Sequence, residues 1–193
     1  MPEFIQANWI EIIGSLTGLV YLYYEYKANI KMWPAGIIMS SFYTIVFLES
    51  KIYAFACINI YYILAAVFGW IKWSKTKTND KHAIIHTPKK FIPTIIIALL
   101  VVFVLINYLL KNYTDSPVPY GDSFVTSLSI VSMWMLAHKF VEQWILLIIL
   151  NIFSVYLYFS QQLYPTSAMY LVYAIVSIFA YFSWLKKVEK NRT

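Results

Sequence analysis

Residues 91–110, FIPTIIIALLVVFVLINYLL, run for twenty positions without a charged side chain. As a helix, a stretch of that length covers about 30 Å, the hydrocarbon thickness of a bilayer. Comparable runs occupy about 9–27, 32–49, 53–73, 122–139, 144–160 and 164–185, which makes seven. In lipid every backbone N–H and C=O must find a partner within the protein, so such runs fold as helices and not as open strands. The expectation is an all-α integral membrane protein with seven transmembrane helices. Only 12% of the residues are charged, about half the share of a soluble domain.

The connections are short except two. Residues 74–90, SKTKTNDKHAIIHTPKK, make a basic loop, and 111–121, KNYTDSPVPYG, a turn broken by proline and glycine. The start carries acidic Glu3 and lacks a small-residue cleavage site after its first apolar run, so no cleavable signal peptide is expected. Trp9, Trp33, Trp73, Trp144 and Trp184 fall near span ends and read as interfacial anchors. The lone Cys57 precludes an intramolecular disulfide and reads as a small buried apolar group.

Thirteen of the 15 basic residues fall on one side of these spans, and only Lys51 and Lys111 on the other. The positive-inside rule then predicts a multi-pass membrane protein with its N-terminus outside and its C-terminus in the cytoplasm. That topology also accounts for the net charge of +6. The lysines are spread by the spans and not gathered on one element, so the basic loop does not indicate nucleic-acid binding.

Shifted by 111 residues, the sequence meets itself. Trp33 falls on Trp144, Trp73 on Trp184, Tyr53 on Tyr164, Tyr62 on Tyr173, Phe42 on Phe153 and Phe68 on Phe179. The offset holds without gaps for spans 1–3 against spans 5–7. It implies a single transmembrane domain with repeat 1 at 8–75, a connecting helix at 91–110 and repeat 2 at 119–187. The repeats start four spans apart and so point the same way, a 3+1+3 arrangement of SWEET-like type, with ligand expected near the midplane between the repeats.

Polar groups inside spans normally face protein or an aqueous cavity. Asn59 and Tyr62 share a helix face, continued by Ala66, Gly69 and Trp70. Trp144, Asn151 and Tyr158 recur at intervals of seven on span 6, and Tyr173 repeats Tyr62. Amides read the edge of a ring, and aromatic faces stack on it and attract a cation within roughly 6 Å. The substrate-binding candidates are therefore Asn59, Tyr62, Trp70, Trp144, Asn151, Tyr158 and Tyr173. The competing reading makes the same amides helix–helix glue. No basic or acidic residue stands at mid-span, which argues against an anionic substrate and against ion coupling, with Glu11, Glu25 and Asp122 near span ends.

Enzyme signatures fail: there is no Ser/His/Asp set, HExxH or phosphate loop. No cofactor is implied. His82 and His86 with Asp80 sit in the basic loop and make a poor metal site. A rhodopsin-like reading lacks its mid-span lysine, since span 7 has only Lys186 and Lys187 at its end.

WPAGI at 33–37, YYILAAVFGWIKW at 61–73 and EQW at 142–144 followed by Asn151 resemble the PnuC family of bacterial vitamin transporters, over about residues 8–187. The resemblance implies a seven-helix 3+1+3 fold and facilitated diffusion without ion coupling. It implies a substrate among nicotinamide riboside, thiamine and riboflavin, trapped by a cytoplasmic kinase. Trp144 and Asn151 carry over from the sixth-span motif, Tyr62 and Trp70 from the third. Asn59 stands where nicotinamide riboside carriers tend to have glutamine, and the chain is short like thiamine-type members. Both points favour thiamine, with nicotinamide riboside as the alternative. The runner-up from another class is a non-transporting structural membrane protein. Homo-oligomerisation stays open.

Overall fold

The protein is described by a computed structural model covering residues 17–49, 53–75, 84–114 and 116–190. Helix α1 is described over 17–26. It is followed by α2 (Met32–Glu49), α3 (Tyr53–Lys75), α4 (Ile92–Tyr113), α5 (Pro119–Ala137), α6 (Gln143–Ser160) and α7 (Tyr164–Lys190). Among the described residues no strand occurs; the only pairing of that kind is an isolated bridge between Ile85 and Phe140. The all-helical expectation stands, and α2 has the expected bounds. Trp9, Glu11, Lys51, Asp80 and His82 lie outside the described residues.

Helix starts follow local chemistry. Prolines sit in the first turns of α4 and α5, where their missing N–H would be unpaired anyway. Among the described residues, four helices are long and apolar enough to cross a membrane by length and composition: Ala56–Lys75, Lys89–Tyr113, Gln143–Ser160 and Thr166–Glu189. Helix α5 is more polar because of its serines. Ser127 and Ser132 return their hydroxyls to the carbonyls of Phe124 and Ser129, at 2.8 and 2.9 Å, which removes the cost of carrying them into an apolar setting.

Apolar exposure shows what solvates the protein. Only Ile106 and Leu110 of α4 are buried, and Val104 is 63% exposed. An apolar face of that length is unsuited to water and suits lipid. The same fact corrects one expectation. Cys57 is exposed, not buried, because an apolar residue in a span can be covered by lipid instead of protein.

The chain forms two compact units, Met1–Lys77 and Thr78–Thr193. In unit 1, α2 packs on α3, and the Tyr21 ring of α1 presses on Gly36, where an added Cβ would meet it at 3.1 Å. In unit 2, α4 packs on α5, α5 on α6 and α6 on α7. Its core includes Val131, Met135 and Phe140 with Phe91, Ile95 and Trp134 against them.

The turns before α2 and α6 are built alike. Ala28 and Lys139, 111 positions apart, both take positive φ, 54° and 58°. Ala28 N–H donates to Glu25 and Asn29 N–H to Tyr24; Lys139 donates to Leu136 and Phe140 to Met135, all within 2.9–3.1 Å. Each set is a Schellman closure, which satisfies the last carbonyls of a helix through one left-handed residue. With Ala and Lys in place of glycine, each turn pays roughly 1–2 kcal/mol in backbone strain.

Candidate substrate-binding site

Two tryptophan pairs frame the candidate residues. Trp33 at the start of α2 meets Trp73 near the end of α3 edge to face, with centroids 5.3 Å apart. Trp144 at the start of α6 meets Trp184 on α7 in the same way, at 5.6 Å. Trp33, Trp144 and Trp184 are fully buried and Trp73 almost so. These four rings are therefore interior packing pairs, which corrects their reading as interfacial anchors. Position matters more than residue type here: a ring at a helix end packs inside when a neighbouring helix leaves room. Gly69 leaves that room in unit 1, since a Cβ there would lie 2.3 Å from Trp33 Cη2. The small residue of the third-span stripe thus admits a neighbouring ring.

Unit 2 holds the fuller set of candidates. On α6, Trp144, Asn151, Ser154 and Tyr158 fall along one face by helical spacing. Asn151 is buried and its Nδ2 donates to Ser177 Oγ of α7 at 3.1 Å. Ser154 is fully buried, and its hydroxyl has no partner. One turn further on, Tyr158 stacks on Tyr170 with centroids 5.1 Å apart and planes 14° apart. Tyr170 in turn meets Tyr173 edge-on at 5.9 Å. Asn151, Tyr158 and Tyr173 are thus gathered on the α6–α7 pair. Trp144 lies two turns below Asn151 on the same helix, with its indole N–H buried and without an acceptor.

In unit 1, Asn59 and Tyr62 are half-buried on α3. Tyr62 packs against Tyr61 at 5.7 Å, and Glu25 of α1 is buried in the same unit. Trp70 is 42% exposed and lies outside the packed face formed by Ala66, Gly69 and Trp73.

Sequence reasoning missed Ser154, Ser177 and Tyr170. Ser177 stands where repeat 1 has Ala66, so the offset alone gave it no polar counterpart. It also missed the role of Glu142. The Glu142 carboxylate, just before α6, accepts from His86 Nδ1, the Thr87 amide and the Thr87 hydroxyl, each at 2.7 Å. Ile85 N–H donates to the Lys139 carbonyl and Val141 N–H to that of Ile85. The end of the basic loop is therefore latched onto the α5–α6 turn. Burial alone would raise the Glu142 pKa; hydrogen bonds from His86, Thr87 and its own backbone outweigh this and hold it below the usual glutamate value. His86 is thus a partner of Glu142, and among the described residues no cluster suits a metal ion.

Comparison with known proteins fits this architecture. Residues 8–186 match the family described as Nicotinamide mononucleotide transporter. The chain is 23% identical to the nicotinamide riboside transporter PnuC of Escherichia coli (strain K12), over 95% of this chain and 88% of that one. It is 22% identical to the riboflavin/roseoflavin transporter RibM of Streptomyces davaonensis, over 95% and 87%. A crystal structure of the vitamin B3 transporter PnuC superposes with a TM-score of 0.76, covering 97% of this chain and 85% of that one at 22% identity. Fold and matches together define a multi-pass membrane transporter of vitamin type, not an enzyme. The chain belongs to the nicotinamide mononucleotide transporter family, which includes the PnuC proteins.

Proposed function

We propose that this protein is a uniporter for a cationic, ring-bearing B vitamin, with nicotinamide riboside as its substrate. The observation that carries the reading is the α6–α7 set of Asn151, Ser177, Tyr158, Tyr170 and Tyr173. It combines amide and hydroxyl groups for a ring's polar edge with aromatic faces for its plane. Relatives named for nicotinamide riboside, from Escherichia coli and Neisseria mucosa among others, favour that vitamin over thiamine. Asn59 in place of a glutamine is the specific feature that keeps thiamine as the second reading.

Trp144 and Asn151 act with Tyr158 and Tyr173 on the substrate in unit 2, and Asn59, Tyr62 and Trp70 are the corresponding candidates of unit 1. The like-built turns at Ala28 and Lys139, and the matched pairs Trp33–Trp73 and Trp144–Trp184, support two parallel repeats joined by α4. The lysine-rich side faces the cytoplasm, where a vitamin kinase traps the product. The deciding experiment is uptake of labelled nicotinamide riboside and of thiamine into proteoliposomes without an ion gradient. Equilibration of nicotinamide riboside supports the reading. Equilibration of thiamine alone moves the substrate to the second reading, and uphill uptake abolished by a protonophore refutes facilitated diffusion.

A further inference from the structure

We propose that the outward face of α4, with Lys89 and Lys90 at its head, is a binding site for an anionic phospholipid. The proposal does not depend on which vitamin is carried.

Helix α4 has two unlike faces. Ile95, Ala98 and Leu99 pack against Val131, Met135 and Phe140. Ile96, Ile97, Leu100, Val101 and Val104 are each more than half exposed. Helical spacing lines these five up as one apolar strip. From Ile92 to Val104 the strip measures about 18 Å at 1.5 Å per residue, which spans the roughly 15 Å of hydrocarbon in one leaflet.

Charge stands at one end of this strip. Lys89 and Lys90 begin the single 3-10 turn Lys89–Phe91 directly before α4, and both are exposed. The turn is held in place. Phe91 packs on Trp134 and Phe140 with centroids 5.9 and 6.0 Å apart, and its N–H donates to the Pro88 carbonyl at 2.9 Å. Lys90 Nζ lies 5.3 Å from the Phe91 ring centroid, a contact that neutralises no charge. Among the described residues neither lysine has a carboxylate partner. The carboxylate that meets this segment, Glu142, is already taken up by His86 and Thr87. The other end of α4 is different, since Lys111 donates to the Tyr120 hydroxyl and sits 3.9 Å over that ring. Two uncompensated positive charges above an apolar strip match the two parts of an anionic phospholipid, its headgroup and its chains. A two-fold pairing of two copies through this strip would instead bring each lysine pair against its own kind.

The test titrates the purified full-length protein in detergent with phosphatidylglycerol and with phosphatidylcholine of the same acyl chains, read by native mass spectrometry. The parent should prefer phosphatidylglycerol by about twenty-five-fold, or about fivefold for each lysine beside an anionic headgroup. The double variant Lys89→Gln, Lys90→Gln should bring the two lipids to equal retention, and the pair Lys89→Arg, Lys90→Arg should keep the preference. If the double variant does not fold, the single changes decide, each losing about fivefold. Lys111→Gln, at the opposite end of α4, should leave the preference as it is. Glycerol phosphate, the headgroup without chains, should not compete at concentrations matching the lipid. No preference in the parent, an unchanged preference in the glutamine variants, or competition by glycerol phosphate overturns the proposal. So does a disulfide-linked dimer of Val101→Cys in a Cys57→Ser background, which would give the strip to a second copy of the chain.

Discussion

Replacing Glu142 by alanine tests the latch between the basic loop and the α5–α6 turn. The carboxylate accepts three hydrogen bonds at 2.7 Å. Hydrogen bonds to a charged group are worth about 1.5–3 kcal/mol each when desolvated. Here the side chains of His86 and Glu142 are 38% and 28% exposed, so water takes over part of each bond and the total falls to about 1–3 kcal/mol. The bridge between Ile85 and Phe140 remains but loses its neighbour. Since 1.4 kcal/mol is tenfold, amide exchange at Ile85 and Thr87 should accelerate by about tenfold to a hundredfold, read by hydrogen-exchange mass spectrometry on peptides covering 84–91. Acid should do the same. A carboxyl whose folded pKa is depressed contributes stability above its unfolded value, near 4.5, and loses it as pH falls through the folded value. The loop should therefore loosen only below about pH 4.5, and the alanine variant should show no such step. Parental exchange rates in Glu142→Ala would show that the bridge and the α4 contacts hold the loop by themselves.

Three further outcomes are expected. Gly69→Ala places a Cβ 2.3 Å from Trp33 Cη2; overpacking of about 1–3 kcal/mol should exceed the helix-propensity gain of about 1 kcal/mol, so melting temperature falls, and a rise would show that Trp33 can move. Asn151→Leu should weaken vitamin binding by about tenfold to a hundredfold; if Asn151→Leu and Ser177→Ala both melt earlier but bind as tightly as the parent, the pair is helix glue. A cysteine at position 80, in a Cys57→Ser background, should resist impermeant thiol reagents applied to intact cells, and labelling there would reverse the orientation.

The sequence by itself determined the class of fold. Seven apolar runs in a chain with 12% charge leave helices in lipid as the solution, because lipid offers no partner to an open backbone. It also located the offset of 111 and placed Asn151, Tyr158 and Tyr173 on related helix faces, since helical periodicity converts spacing into direction. What periodicity cannot do is say what lies opposite a face. Trp33 and Trp144 read as lipid-interface rings until α3 and α7 were seen to bury them, with Gly69 ceding the space in unit 1. Cys57 read as buried, because composition does not separate a residue covered by protein from one covered by lipid. Ser177 was invisible as the partner of Asn151, 26 positions away, and Glu142 as the anchor of a loop 55 positions earlier. Those pairings arise from how separate helices pack, and only the tertiary structure decides which distant groups come within the 3 Å or so that a hydrogen bond needs.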